Sequence, residues 1–257
     1  MVKPDFSVNR IAQRWRFRFH VRRLKRTFFI TGTDTGVGKT ILTALLVQFL
    51  REHGVNAAAL KPVCSGGRAD ARALRAAMDN ALSLDEINPW HFRAPIAPLL
   101  AARRERKRVL LAGVLAHVRA MQKRFGVLLV EGAGGLLSPL GENFNSRDLI
   151  LALRATPLVV APNRLGMVNH ILLTLEALPR SAAARARIVL MSPSKRDAAT
   201  GANAELLAEF FDAKRIFTLP WLDENFSAGE VLKSQQVRRT LRALVGREQW
   251  SIGDLEY

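Results

Sequence analysis

The sequence predicts an α/β fold, a mainly parallel sheet with helices on both faces. Two observations carry that prediction: short apolar runs alternate with longer stretches of helical periodicity, and two of the runs end in glycine clusters. A third bounds it. The 257 residues are 49% hydrophobic and 24% charged, with a mean hydropathy of +0.05, which supplies a sizeable core and excludes a wholly disordered chain.

In chain order the apolar runs fall at residues 27–31, 57–61, 126–131, 157–161, 187–191 and 215–219, and each reads as a strand. Helical patterns begin near Lys39, Asp70, Gly113, Met167 and Ala202, so helices cross over between strands as a parallel sheet requires. Neither an internal repeat nor a second hydrophobic core is visible. Residues 27–245 therefore read as one domain, with a basic extension at 1–26 and a tail at 246–257.

Charge is the unusual feature. There are 39 Lys and Arg against 22 Asp and Glu, a formal excess of +17, and the isoelectric point is near 11.3. Residues 1–26 hold nine basic residues and one acid, a net +8, while Val8, Ile11, Trp15 and Phe19 share one face of a would-be helix. Such an arm suits an anionic lipid surface, nucleic acid or organelle import. It lies outside the α/β pattern, however, and is expected to be a dispensable appendage, translated from a start upstream of the true one. The second basic run, Arg103-Arg104-Glu105-Arg106-Lys107-Arg108, has no interleaved aromatics for base stacking and is expected to be a solvated face.

A single cysteine, Cys64, excludes a disulfide framework and a thiolate metal cluster. With no apolar run near the roughly 18 residues of a membrane span and no secretory signal, the expected location is cytoplasmic, without membrane or nucleic-acid partners. Cys64 itself reads as a compact packing residue.

Three segments carry chemistry. Gly32-Thr33-Asp34-Thr35-Gly36-Val37-Gly38-Lys39-Thr40 lies between a strand and a helix, as a phosphate-binding loop does. Its backbone N–H groups would surround a phosphate, Lys39 would neutralise β/γ oxygens, and the Thr40 hydroxyl would ligate Mg²⁺. Thr33 stands where such loops usually begin with glycine, so this is a variant form. Val130-Glu131-Gly132-Ala133-Gly134-Gly135 ends another apolar run, and a carboxylate there lies where α/β sheets bind ligands, suiting Glu131 to a metal. Ala59-Leu60-Lys61-Pro62-Val63-Cys64-Ser65-Gly66 brings Lys61 to a third strand end, a second cation near the phosphates that fits transfer chemistry.

Together with Asn88-Pro89-Trp90, Ala94-Pro95-Ile96-Ala97-Pro98, Ser138-Pro139-Leu140, Leu165-Gly166-Met167-Val168-Asn169-His170 and Leu219-Pro220-Trp221-Leu222, these segments closely resemble the dethiobiotin synthetase family across residues 31–222. The resemblance implies a phosphate-loop NTPase fold and an ATP-dependent cyclo-ligase that uses 7,8-diaminononanoate, CO₂ and MgATP. It further implies catalysis by Lys39 and Lys61, Mg²⁺ on Thr40, Asp70 and Glu131, and nucleotide contacts from Asp34, Thr35, Gly36, Val37, Gly38, Lys39, Thr40, Pro220, Trp221, Leu222 and Asn225. Thr35, Ser65, Gly134 and Gly135 would line the diamine and carbamate site. Leu165, Gly166 and Asn169, at a helix start contributed by the partner of a homodimer, would receive the substrate carboxylate. His170 is expected to pack or cap.

Two departures stand out. The loop between Lys61 and the family's metal-binding Asp is short here, and Asp70 is matched to that Asp through Ala71 and Leu74. After residues 187–191 the family usually offers an Asn that reads the adenine edge; here Ser192-Pro193 follows, and a hydroxyl cannot give paired contacts, so base selectivity is expected to relax. The competing reading is a partition or septum-site ATPase that binds DNA or membrane through the basic arm. Those proteins carry a lysine near the start of the loop, where this chain has Asp34.

Overall fold

The computed structural model describes residues 25–222 and 227–246; the amphipathic arm with Val8, Ile11, Trp15 and Phe19, Asn225 and the C-terminal tail lie outside the described residues. Six apolar runs form the strands of one parallel sheet because both of their faces are covered, which removes any need for polar alternation. The elements follow as β1 (Arg26–Gly32), α1 (Lys39–Glu52), β2 (Ala57–Leu60), β3 (Val63–Ser65), α2 (Ala69–Ala76), α3 (Leu84–Ile87), β4 (Trp90–Phe92), α4 (Pro98–Arg104) and α5 (Leu111–Arg124). Then come β5 (Val127–Gly135), β6 (Pro139–Gly141), β7 (Phe144–Asn145), α6 (Ser146–Ala152), β8 (Thr156–Pro162), α7 (Met167–Glu176), α8 (Arg180–Ala183), β9 (Arg187–Met191), α9 (Ala198–Ala208), β10 (Ile216–Leu219), α10 (Ala228–Val231) and α11 (Gln235–Val245).

The sheet order is β10-β9-β8-β1-β5-β2, with every pairing in it parallel. All six strands therefore deliver their carboxyl ends to one edge, where α/β sheets bind ligands. Phe28, Phe29 and Ile30 of β1 and Val127–Val130 of β5 are buried at the centre. The apolar face of α1, with Leu42, Leu45, Leu46, Phe49 and Leu50 at helical spacing, belongs to the same core.

Several elements differ from the sequence expectation, each for a local reason. β5 runs on to Gly135 rather than stopping at Glu131. Its glycines answer crowding: a Cβ at Gly132 would lie 2.6 Å from Ser146 Oγ, and Gly134 has φ +68 with Ser138 Oγ 2.5 Å from where a Cβ would be. α9 starts at Ala198, ahead of Ala202, because Asp197 caps it reciprocally with Thr200. The two small sheets, β3-β4 and β6-β7, have strands too short to show a period. α11 was not anticipated, yet Val237, Leu241, Leu244 and Val245 bury one face of it. Among the described residues, no helix is long and apolar enough to cross a membrane.

Candidate functional site

The phosphate loop owes its shape to glycine and to its lysine. Gly36 and Gly38 have φ +70 and +96, which L side chains rarely adopt. Lys39 Nζ donates to the Asp34 carbonyl at 2.7 Å, curling the loop over itself, and the Thr35 N–H donates to Asp34 Oδ1 at 2.7 Å. The Thr33 N–H donates to the Val160 carbonyl at 3.0 Å, so the residue at the unusual position still anchors the loop to β8. A Cβ at Gly32 would come within 2.7 Å of Val37 Cγ2, which makes the glycine one residue earlier the obligatory one.

β1, β2 and β5 bring together the polar groups that the sequence scatters. Lys61 Nζ donates to Glu131 Oε1 at 2.6 Å and to Asp70 Oδ2. Thr40 Oγ1 donates to the same Glu131 oxygen at 2.8 Å. Glu131 is 1% exposed, and its second carboxylate oxygen, Oε2, is buried without a hydrogen-bond partner. Asp70, on the first turn of α2, thus meets Lys61, which joins it to the carboxylate of β5, despite the short intervening loop.

Burial opposes the charge on Lys61, but the carboxylates of Glu131 and Asp70 outweigh it and hold the ammonium above the ordinary lysine range. Burial likewise opposes Asp70, yet the charge and hydrogen bond of Lys61 keep its carboxyl below the usual carboxylate range. Lys39 behaves differently: burial, and then the like charge of Lys61, lower it to about 8. Its own carbonyl bond to Asp34 does not supply a compensating anion. A phosphate would.

Two cavities meet across the loop. The larger, about 680 Å³, is lined by Lys39, Thr40, Lys61, Asp70 and Glu131 together with Thr35, Ser65 and Gly134. The other, about 510 Å³, is lined by Gly36, Val37 and Gly38 and by Pro220, Trp221 and Leu222. Gly36, Gly38 and Ile41 face both. A chain of phosphates laid along the loop would join a flat group in one cavity to the lysines of the other.

Some expected residues sit otherwise. Ser65 lines the larger cavity, but its hydroxyl donates to the Ile96 carbonyl at 2.5 Å and so fastens the 94–98 loop over the site. The Gly135 N–H donates to Ser138 Oγ at 2.9 Å and the residue lines neither cavity. Asp34 likewise lines neither and acts through the loop. Leu165, Gly166 and Asn169 also lie away from both cavities of this chain, with Leu165 83% exposed. His170 neither packs nor caps: it is exposed on the helix that begins at Met167.

Asn88 is a residue whose task the sequence did not disclose. Fully buried, it donates from Nδ2 to the Lys61 carbonyl at 2.7 Å and accepts from Cys64 Sγ at 3.2 Å, fixing the segment that presents Lys61. The expected packing role of Cys64 agrees with burial that pushes its thiol up. In the basic 103–108 run, Arg103 pairs with Glu142 through two bonds of 3.1 and 2.8 Å and Lys107 pairs with Glu105 at 3.0 Å.

A parallel sheet with a glycine-rich phosphate loop, a loop lysine and a facing carboxylate defines a phosphate-loop nucleotide-binding protein. Within that class the comparisons are specific. The chain matches the family described as AAA domain over residues 26–226. It is 43% identical over 201 residues to the ATP-dependent dethiobiotin synthetase BioD of Anaeromyxobacter dehalogenans, covering 76% of this chain and 90% of that one. With the protein of the same description from Akkermansia muciniphila it shares 40% identity over 189 residues, 73% of this chain and 89% of that one. This chain belongs to the ATP-dependent dethiobiotin synthetase family. A ParA family ATPase from Chlorobium tepidum superposes with a TM-score of 0.55 at 14% identity, over 84% of this chain and 97% of that one, a likeness of fold.

Proposed function

We propose that this chain is the ligase that closes the ureido ring of dethiobiotin, converting 7,8-diaminononanoate, CO₂ and MgATP to dethiobiotin, ADP and phosphate. The observation that carries the reading is the convergence of Lys39, Lys61, Thr40, Asp70 and Glu131 in a cavity that meets, across the phosphate loop, a second one lined by Pro220, Trp221 and Leu222. One substrate amine adds to CO₂, losing a proton to give a carbamate. A carbamate oxygen attacks the γ-phosphorus and ADP leaves. The second amine then attacks the carbamoyl carbon, the C–O bond to phosphate breaks, and the ring closes.

Each step moves anionic charge, so positioning and neutralisation are the protein's main tasks. Lys39 binds β/γ oxygens, which restores the charge that burial weakens. Lys61, kept ionised by Glu131 and Asp70, faces the carbamate and the γ-phosphate. Thr40, Asp70 and Glu131 offer the hard oxygen donors that Mg²⁺ takes, and the partnerless Glu131 Oε2 has room for such an ion in its hydrogen-bonding. Among the described residues no three His, Cys, Asp or Glu side chains gather as a metal cage, which fits an ion completed by phosphates and water. Bound there, Mg²⁺ would neutralise phosphate oxygens as charge shifts to the leaving group.

A homodimer completes the substrate site in this reading. Gly166, the residue that caps α7, is left-handed and gives no side-chain cap, and an exposed helix start of that kind suits a carboxylate presented from a partner's cavity. The reaction is placed in the cytoplasm, in keeping with one reduced cysteine.

The test is direct. Incubation with diaminononanoate, bicarbonate and MgATP should yield dethiobiotin, detected by mass. Absence of product together with DNA-stimulated ATP hydrolysis would instead favour the partition-type reading.

A further inference from the structure

Lys61 stands where the edge of the sheet runs out. β2 is the edge strand and pairs with β5 through Ala57–Leu60, and the residue after Lys61 is Pro62, which has no N–H with which to extend a ladder. The 87–90 segment holds this stretch instead. The Lys61 N–H donates to the Ile87 carbonyl at 3.0 Å, and the Trp90 N–H donates to the Pro62 carbonyl at 3.1 Å. Between those two backbone bonds the Lys61 carbonyl accepts from a side chain, Asn88 Nδ2, at 2.7 Å.

That carboxamide is engaged at both ends. Nδ2 also reaches the Trp90 and Pro62 carbonyls at 3.3 and 3.4 Å, while Oδ1 accepts from Cys64 Sγ at 3.2 Å. The Asn88 backbone is tied as well: its N–H donates to the Leu84 carbonyl at 2.8 Å, and its carbonyl accepts from Arg68 Nη2 at 3.1 Å. A carboxylate would offer those carbonyls only acceptors, and an aliphatic side chain would leave them bare; a carboxamide supplies two donors and an acceptor together. Cys64 lines the larger cavity, so one buried amide fixes both the lysine's backbone and a piece of the cavity wall.

At its far end Lys61 shares its ammonium between Glu131 and Asp70. An ammonium on a flexible four-carbon stem is placed only as well as the backbone that carries it. We infer that Asn88 is a positioning residue for the ligation: by holding the Lys61 carbonyl it sets where the ammonium stands as charge develops, so its loss slows turnover without weakening the hold on ATP. The inference rests on Lys61 acting as proposed above. The phosphate loop is anchored separately, by the Thr33 N–H on β8 and by Lys39 on the Asp34 carbonyl.

The experiment measures dethiobiotin formation for Asn88→Ala in the wild-type and in the Lys61→Ala background. In the wild-type background kcat should fall by about tenfold, since small misplacements of a reacting group are costly, with KM for ATP within about threefold. In the Lys61→Ala background the same substitution should cost less than about threefold, because a residue that acts through Lys61 has nothing left to position. A kcat within about threefold of wild type, a loss that falls on KM for ATP instead, or an equal proportional loss in both backgrounds overturns the inference, the last because a merely structural role is additive. Should Asn88→Ala not fold, Asn88→Ser, which keeps one donor, is judged by the two backgrounds alone: a smaller loss beside Lys61→Ala supports the inference and an equal or larger one overturns it. If the wild type forms no dethiobiotin, the proposed reaction fails, while the Lys61 ammonium resonance of isotope-labelled protein, identified by its loss in Lys61→Ala, still decides the positioning. A shifted or exchange-broadened signal in the folded Asn88 variant supports it, and an unchanged one overturns it.

Discussion

The two halves of the ligand edge are built on opposite principles. At the ends of β1, β2 and β5, charge is dense and locked: Lys61 holds Glu131 and Asp70, and Thr40 shares the Glu131 oxygen. At the ends of β8, β9 and β10 the lining is mostly apolar, with Arg164 and Ser192 among it, and the buried amide of Asn163 is spent on Asn203 and Thr200. In the proposed reading the first half preorganises dipoles and charges where phosphate chemistry develops charge, so nothing has to be reoriented at the moment of reaction. In the proposed reading the second holds the base of the nucleotide.

The largest break in this comparison should come from the charged half. Lys39→Ala and Lys61→Ala should each lower kcat/KM for dethiobiotin formation by about a hundredfold, equivalent to about 2.7 kcal/mol of transition-state stabilisation. Lys61→Ala also strands two carboxylates, so unfolding in urea should be run beside the kinetics to separate catalysis from stability. Unchanged rates in a folded variant would remove that lysine from the site.

A mid-sized effect of a different kind is expected in the apolar half. Asn163→Ala leaves Asn203 and Thr200 groups without their buried partner, a cost of about 1–3 kcal/mol in urea unfolding. Its kcat/KM should fall far less than in the lysine variants, because the amide is committed to bracing the wall. A collapse of catalysis without loss of stability would contradict that division.

The smallest effect lies at the margin of the charged half. Glu86 caps α3, whose last residue, Ile87, accepts the Lys61 N–H through its carbonyl. The hydrogen bond from Arg124 and those at Ser83 hold its carboxyl down at about 2, against an ordinary value of 4.5. With the folded pKa depressed, this contribution is present above about pH 4.5 and is lost as pH falls toward 2. The pair is largely exposed to water, so Glu86→Gln should cost less than about 1 kcal/mol at pH 7. The difference from wild type should shrink when unfolding is measured near pH 3.

Much of this was legible in the sequence because the signals are local. The six sheet strands announce themselves as apolar runs, and the loop from Gly32 to Thr40 is contiguous, so backbone geometry alone makes it a phosphate cradle. Asp70, separated from Lys61 by a shortened loop, was matched by its neighbours Ala71 and Leu74, and the fold does bring it to Lys61. The bracing was not legible. Asn88 and Asn163 look like any loop asparagines until the chain carries them to the Lys61 and Thr200 carbonyls. Ser65 and Gly135, read as substrate contacts, turn out to have bonds within the chain, to Ile96 and Ser138.

By itself, then, the sequence determined the strand and loop grammar and nominated the side chains proposed to react, since periodicity and motif spacing act over a few residues. Tertiary structure decided which of those side chains are engaged with one another and which remain free for a ligand. Hydrogen-bond commitment depends on partners 27 residues away for Asn88, 37 for Asn163 and 70 for Lys61. Only the folded sheet, by aligning its strand ends, brings such partners within reach.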